Sequence, residues 1–295
     1  MKGIVLSLLM ALTPMIAPSQ DLEKLRSEIQ HTFTSAQGTF AMAFKALDGN
    51  AKLMINERML FHAASTMKTP VMIEVFRQAA EGRFRLDDSL VVRNEFKSIV
   101  DGSTYQLDLG DDSDDSMYKR IGGKASVREL VFQMITVSSN LATNLLIQLV
   151  DAKSVTSTIR SLGAVDIEVL RGVEDGKAFD KGLNNRVTAL DLSIIFEMIA
   201  RKKAVNEASS EAMTEVLLAQ KFKDIIPAML PEGVKVAHKT GSITGVEHDS
   251  GIVFLPDGRR CVLVLLSKDL KDEGNGKRTL ASVSRLIYDF MIQTK

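Results

Sequence analysis

Tryptophan is absent from this chain, cysteine occurs once in 295 residues, aromatic residues make up 5%, and the 37 basic residues are matched by 37 acidic ones. Each shortage excludes something. With Cys261 alone there can be no internal disulfide, so the fold must be held by packing; Cys261 opens Cys-Val-Leu-Val-Leu-Leu, which reads as a buried strand. Zero net charge, a pI near 6.9 and no basic stripe with aromatics between exclude a nucleic-acid partner. His31, His62, His238 and His248 lack the spacing of metal ligands, so neither a metal nor a cofactor is expected. Gly276-Lys277-Arg278 lacks the upstream glycine of a phosphate-binding loop. Long apolar runs are missing too. The one at the start, Gly3 to Leu12 after Met1-Lys2, is short for a span, is followed by Pro14, and leads to small residues at Ala17-Pro18-Ser19. It reads as a signal peptide over residues 1–19, cut after Ser19. The expectation is export to the periplasm or beyond, with no stable membrane insertion after cleavage.

What is present is an ordinary globular composition, 45% hydrophobic and 25% charged, with a mean hydropathy of +0.05, enough for one large domain or two interleaved ones. Leu22, Leu25, Ile29 and Phe33 mark an amphipathic helix. The period then changes to two: Thr39–Phe44 and Lys52–Ile55 flank Asp48-Gly49-Asn50 and predict a hairpin. Val71, Met72, Val75, Phe76, Ala79 and Ala80 predict a helix over 65–81, with Pro70 tolerable near its start and Gly82 closing it. Ser126 and Glu129 form a capping box ahead of one helix, and a second apolar helix runs from Leu141 to Val150. Further helices are expected from Lys153 to Leu162, over 188–200 and over 208–220, with a long loop at 171–185. The tail returns to strands at 235–238, 251–255 and 261–267, then a last helix through Leu280, Val283, Leu286, Ile287, Phe290 and Met291.

Strands near both termini with helices between them predict an α+β fold: an α/β/α arrangement on an antiparallel sheet, plus a central all-helical lobe. The expected lobes are 20–62 with 222–295, and 63–221, with a pocket between them.

Ser65-Thr66-Met67-Lys68 stands where a short strand gives way to the helix of 65–81. Residues three apart share a helix face, so Ser65 and Lys68 can meet, and a neutral amine can take a serine's proton. Ser65 could equally cap a buried helix. Ser116-Met117-Tyr118-Lys119 repeats the pattern, but it follows Asp108, Asp111, Asp112, Asp114 and Asp115 and lacks apolar periodicity. That acidic run has no regularly alternating ligands for calcium and reads as a solvated loop. Ser138-Ser139-Asn140 lies between two apolar helices and could be only a turn with an N-cap. Lys239-Thr240-Gly241 follows the strand at 235–238, where a glycine admits a close backbone and the lysine can hold an anion.

Taken in this order and spacing, the three elements resemble those of the penicillin-recognising serine hydrolases, most closely the class A β-lactamases, from about Gln20 to the C-terminus. The resemblance implies a β-lactamase/transpeptidase-like fold and an acyl-enzyme hydrolase. It makes Ser65 the nucleophile, Lys68 its proton acceptor or shuttle, and Ser138 the donor to the leaving nitrogen. Asn140 would hold the substrate's side-chain amide. Lys239 and Thr240 would bind its carboxylate beside Gly241, the N–H groups of Ser65 and Ser242 would form the oxyanion hole, and His248 would stand where class A enzymes often carry an arginine. An ammonium at Lys239 would lower the pKa of Lys68. The implied substrate is a β-lactam or a D-alanyl peptide, and the implied state a monomer. Two features depart from the class A pattern. Ser139 stands where aspartate is usual. The loop reads Arg171-Gly172-Val173-Glu174-Asp175-Gly176-Lys177, so the glutamate of Arg-x-Glu-x-x-x-Asn comes one place late and lysine replaces the asparagine. Gly172 and Gly176 would let the backbone bulge and return Glu174 to the site as hydrolytic base. A D-alanyl-D-alanine carboxypeptidase and a degenerate wall-binding domain are the other readings.

Overall fold

The computed structural model describes residues 18–294. The signal peptide expected over 1–19 lies outside them, apart from two residues that begin the first helix. Helix α1 (Pro18–Thr34) leads into the expected hairpin, β1 (Thr39–Ala46) and β2 (Lys52–Ile55), paired from Met42↔Ile55 to Lys45↔Lys52. After β3 (Phe61–His62) comes a 3-10 turn, Ala64–Met67, and then α2 (Lys68–Ala80). The expected helix of 65–81 therefore begins as a tighter turn, and Pro70 falls in the first turn of α2, where its missing N–H costs nothing.

Residues 83–123, irregular in sequence, hold short strands β4 (Ser89–Val91), β5 (Phe96–Lys97) and β6 (Thr104–Tyr105). β4 pairs with β7 (Lys124–Ser126), and β5 with β6. The helices are α3 (Val127–Thr136), α4 (Asn140–Val150) and α5 (Ala152–Ser161), then a short α6 (Gly176–Asp180) inside the long loop. β8 (Arg186–Val187), which pairs with β3, precedes α7 (Ala189–Ala200) and α8 (Glu207–Leu218). Half of the capping box forms: Ser126 Oγ accepts from the Glu129 N–H at 3.1 Å, while the Glu129 carboxylate pairs with Arg120.

The tail supplies β9 (Lys235–Ile243), β10 (Val246–Phe254) and β11 (Arg260–Lys268), closed by α9 (Glu273–Gln293). All three strands are longer than expected, so Lys239-Thr240-Gly241 lies within β9 rather than past its end. The polar residues misled the reading: Lys239, His248, Asp249 and Ser250 are all buried.

The sheet order is β2-β1-β11-β10-β9, antiparallel throughout. Alternation divides its side chains between two cores. Phe40, Met42 and Phe44 of β1 and Leu263 and Leu265 of β11 pack with α1 and α9. Ala41, Ala43, Val262, Val264 and Leu266 face the helices of the middle of the chain. Covering both faces is why β11 reads as an almost unbroken apolar run. β9 is left at an edge, beside the 3-10 turn that carries Ser65. Helix α2 is fixed from behind by Glu74, which is fully buried and accepts from Arg77, from Gln78 and from Thr158 on α5, while Gln78 donates to the Val150 carbonyl. Among the described residues no helix is long and apolar enough to cross a membrane.

Cys261 sits on the central strand at 1% exposure, and burial pushes its thiol up to about 12. Native protein should therefore resist a thiol reagent at pH 8, and labelling in urea should follow global unfolding. Fast labelling of the folded protein would mean that β11 is not central.

Candidate active site

Three separate stretches converge. Lys68 opens α2, Ser138 stands between α3 and α4, Asn140 opens α4, and Lys239 points inward from β9. Lys68 Nζ donates to the Ser138 carbonyl at 2.6 Å, to Ser138 Oγ at 3.1 Å and to Asn140 Oδ1 at 2.9 Å. Lys239 Nζ reaches the same Ser138 Oγ at 3.1 Å and the Thr240 carbonyl at 2.8 Å. Both lysines are fully buried. Burial lowers the pKa of Lys68 to about 7, against the carboxylates of Asp112 and Glu174, which raise it. The sequence reading had assigned that lowering to a second ammonium. Here desolvation is the cause, and the repulsion between the amines falls on Lys239, which is pushed well down by burial first and by Lys68 second.

Ser65 is half-buried. Among the described residues neither its hydroxyl nor its N–H has a hydrogen-bond partner; the Ala64 N–H turns to His62 and the Thr66 N–H to the Ala63 carbonyl. Among the described residues no hydrogen bond joins Ser65 to Lys68, whose amine is held by Ser138 and Asn140. Gly241 passes so close that a Cβ there would lie 3.1 Å from both the Ser65 and Thr66 nitrogens. The bare glycine lets the edge strand approach the turn of Ser65 this closely. Thr240 is half-buried and Ser242 exposed, and Ser242 Oγ donates to Glu247 at 3.0 Å. Ala64, Ser138 and Glu174 all have positive φ, at 44°, 61° and 60°. Such backbone costs about 1–3 kcal/mol per residue and clusters where a site requires it.

The long loop does bring Glu174 in. Its carboxylate accepts from Asn140 Nδ2 at 2.7 Å and from the Asp108 N–H at 3.0 Å, and its pKa is raised, first by burial. The backbone device differs from the one expected. Glu174 itself takes the left-handed conformation, while neither Gly172 nor Gly176 has positive φ. Gly172 is needed for clearance: a Cβ would lie 2.4 Å from Asn144 Oδ1. Asn144 accepts from the Val173 N–H at 2.7 Å and donates to its carbonyl at 3.1 Å, and the Tyr105 hydroxyl donates to that carbonyl at 3.2 Å. The other residues of the loop point elsewhere. Asp175 accepts from Ser98, Ile99 and Ala178; Lys177 donates to Asp101 and Ser103; Asp180 is exposed.

His248 does not line the cleft. It is fully buried, edge-on to Phe61, with Nε2 2.9 Å from the His62 carbonyl and Nδ1 3.2 Å from the Ser267 N–H. Nδ1 also lies 2.9 Å from the Glu247 carbonyl, and burial lowers the ring's pKa to about 4, so it is neutral at pH 7. The expected contact with a substrate carboxylate is corrected to a packing role.

The acidic run was also misread in part. Asp111 and Asp112 both reach Asn140, through a carbonyl at 3.4 Å and a carboxylate at 2.8 Å. Asp112, Asn144 and Tyr105 had no motif to mark them. Ser116 instead donates to Asp114, away from both lysines. A cavity of about 930 Å³ lies behind the loop against Asn144 and Gly172 and is not lined by Ser65, Ser138 or Lys239. The candidate site is instead where the Ser138 hydroxyl and two buried amines meet, next to the strand that passes the Ser65 turn. Among the described residues no group of three His, Cys, Asp or Glu side chains is arranged to hold a metal ion.

The chain is similar to several known proteins. The extended-spectrum beta-lactamase PER-1 of Pseudomonas aeruginosa is 23% identical over 285 residues, 91% of this chain and 88% of that protein. The crystal structure of a beta-lactamase from Sphaerobacter thermophilus superimposes with a TM-score of 0.78 at 26% identity, covering 92% of this chain and 97% of that one. The structure of PBP-A gives 0.78 at 25% identity, covering 92% and 96%. A profile described as the beta-lactamase enzyme family matches residues 24–291, and the chain belongs to that family.

Proposed function

We propose that the chain is an exported class A-like serine hydrolase that opens β-lactam rings through an acyl-enzyme on Ser65. The observation that carries the reading is that Ser138 Oγ is held by two buried lysines while, among the described residues, the hydroxyl and N–H of Ser65 are unengaged. Ser65 Oγ attacks the lactam carbonyl, the new C–O bond forms as the C–N bond breaks, and the Ser65 proton passes to neutral Lys68. Ser138 gives its proton to the departing nitrogen and is reprotonated from the lysines on its oxygen. The N–H groups of Ser65 and Ser242 take the developing oxyanion. Lys239 and Thr240 face the substrate carboxylate, with Gly241 giving clearance. Asn140 can meet a substrate amide by releasing its 3.4 Å bond to the Asp111 carbonyl, the longest it makes. Glu174 then takes a proton from the water that cleaves the ester. The lobes 20–62 with 222–295 and 63–221 would meet at this cleft, in a monomer acting in the periplasm or outside the cell after loss of residues 1–19.

A second reading, a D-alanyl-D-alanine carboxypeptidase with slow release of β-lactams, is favoured by one observation: Lys177, in the place of the usual asparagine, is tied to Asp101 and Ser103 and gives the hydrolytic water no second holder.

Intact-mass measurement after benzylpenicillin should show one adduct, absent in Ser65→Ala and retained in Ser116→Ala; the reverse would remove the reading. Glu174→Gln should leave acylation near normal and lengthen the life of the adduct by orders of magnitude. If the wild-type adduct is already long-lived and the substitution changes nothing, the carboxypeptidase reading takes over.

Thr240→Ala should weaken reaction with carboxylate-bearing β-lactams by about 1.5–3 kcal/mol, the worth of a hydrogen bond to a charged group. His248→Gln should leave that reaction unchanged. A histidine whose folded pKa lies below its unfolded value stabilises the fold above the unfolded pKa, and that contribution is lost as pH falls from about 6.5 towards 4. The acid-side loss of stability should therefore be shallower in His248→Gln, measured by urea unfolding across that window. An unchanged slope would mean that His248 is not buried neutral.

A further inference from the structure

The 108–115 stretch contains a side chain that touches the active-site turn and that no motif accounts for. Asp112 accepts from the Asn140 N–H at 3.0 and 2.8 Å, through its two oxygens, and from the Leu141 N–H at 3.0 Å. Those are the first two residues of α4, where the helix dipole favours an anion. Helix α4 already has a local cap, since Ser139 Oγ accepts from the Ala142 N–H. Asp112 is therefore a second acceptor, brought from another part of the chain to the residue whose side chain joins Lys68 to Glu174.

We propose that Asp112 is a positioning residue of this site: it clamps the Ser138–Asn140 turn and holds a negative charge beside the Lys68–Glu174 pair, setting the pH at which the lysine becomes a base. The inference rests on the hydrolase reading for its consequence in catalysis, though not for its electrostatics. The groups facing Lys68 are Ser138, Asn140 and Lys239, with the charges of Asp112 and Glu174 acting to keep it protonated. Those facing Glu174 are Asn140 and the Asp108 N–H, with Asp111 and Asp112 opposing its ionisation. Tyr118 is raised by burial first and then by Asp112 and Glu174, so it stays a neutral phenol. Removing the charge of Asp112 should make Lys68 lose its proton at lower pH and Glu174 ionise at lower pH. The acid limbs of acylation and of deacylation should then both move down.

The substitution that isolates charge from shape is Asp112→Asn, with Asp112→Glu as the conservative control. In the free full-length protein the Lys68 side chain can be titrated by NMR of 13C-labelled lysine, its signal assigned by loss in Lys68→Arg. The midpoint should fall by about one unit in Asp112→Asn, the size expected when an adjacent opposite charge is removed, and return in Asp112→Glu. The acid limb of the benzylpenicillin acylation rate should move with it. An unchanged midpoint in folded Asp112→Asn overturns the proposal, and so does a lowered melting temperature with the midpoint in place, which is what a purely structural clamp would give. If the wild-type protein forms no penicilloyl adduct, the hydrolase reading fails while the Lys68 titration still decides the role of Asp112.

Discussion

Two amines share one hydroxyl. Lys68 and Lys239, both excluded from water, each lie 3.1 Å from Ser138 Oγ. Two ammonium groups cannot be kept there without heavy cost, because each loses its hydration and repels the other. The tendency is for one of them to give up its proton, and a buried amine near neutrality is what a serine needs in order to become a nucleophile. Much of the fold serves this meeting. The lysines come from a helix start and a sheet edge 171 residues apart in the chain, and the hydroxyl from a turn whose backbone is held in the left-handed region. Packing on both faces of the sheet keeps β9 from moving away, and Glu74 anchors α2 from the opposite side.

The helices and strands were legible where one residue class repeats at a fixed period, as in α2, α4, α9 and the β1–β2 hairpin. The sheet and the helices around it followed from the order of those elements. The limits were equally physical. Lys239, His248, Asp249 and Ser250 break the apolar alternation that marks a strand, and they are polar because buried partners receive them: Asp249 accepts from His238 and from the Ile226 N–H, and His248 binds the carbonyl of His62. A period-based reading cannot see partners that lie on other elements. Hence Lys239-Thr240-Gly241 was placed beyond the end of a strand that in fact continues through it, and His248 was read as facing a ligand.

Ser65, Lys68, Ser138, Asn140 and Lys239 were visible as motifs because neighbouring residues in the chain fix their relative spacing. Asp112, Tyr105 and Asn144 were not, since each acts on the backbone of a distant segment. The acidic stretch was a poor guide for another reason. Five aspartates in eight residues look alike in sequence, yet Asp112 reaches the helix terminus while Asp115 pairs with surface Lys119. Which one folds inward is decided by the path of the loop, and composition does not encode that path residue by residue.

The loop of Glu174 shows how a shift of register can be absorbed. In a regular strand one extra residue turns a side chain to the other face. Here the glutamate takes positive φ itself, and the residue before it is held on both its N–H and its carbonyl by Asn144. The carboxylate returns to Asn140, whose other amide atom accepts from Lys68. One amide therefore spans the two groups that would act as bases in successive half-reactions. While a proton rests on Lys68 its bond to Asn140 Oδ1 strengthens and polarises the amide towards Glu174, so the protonation of either group is felt by the other. The positive φ at Glu174 and the clearance left by Gly172 are then conditions for that bridge, and a loop that only reached the same place without the Asn140 contact would lack the coupling.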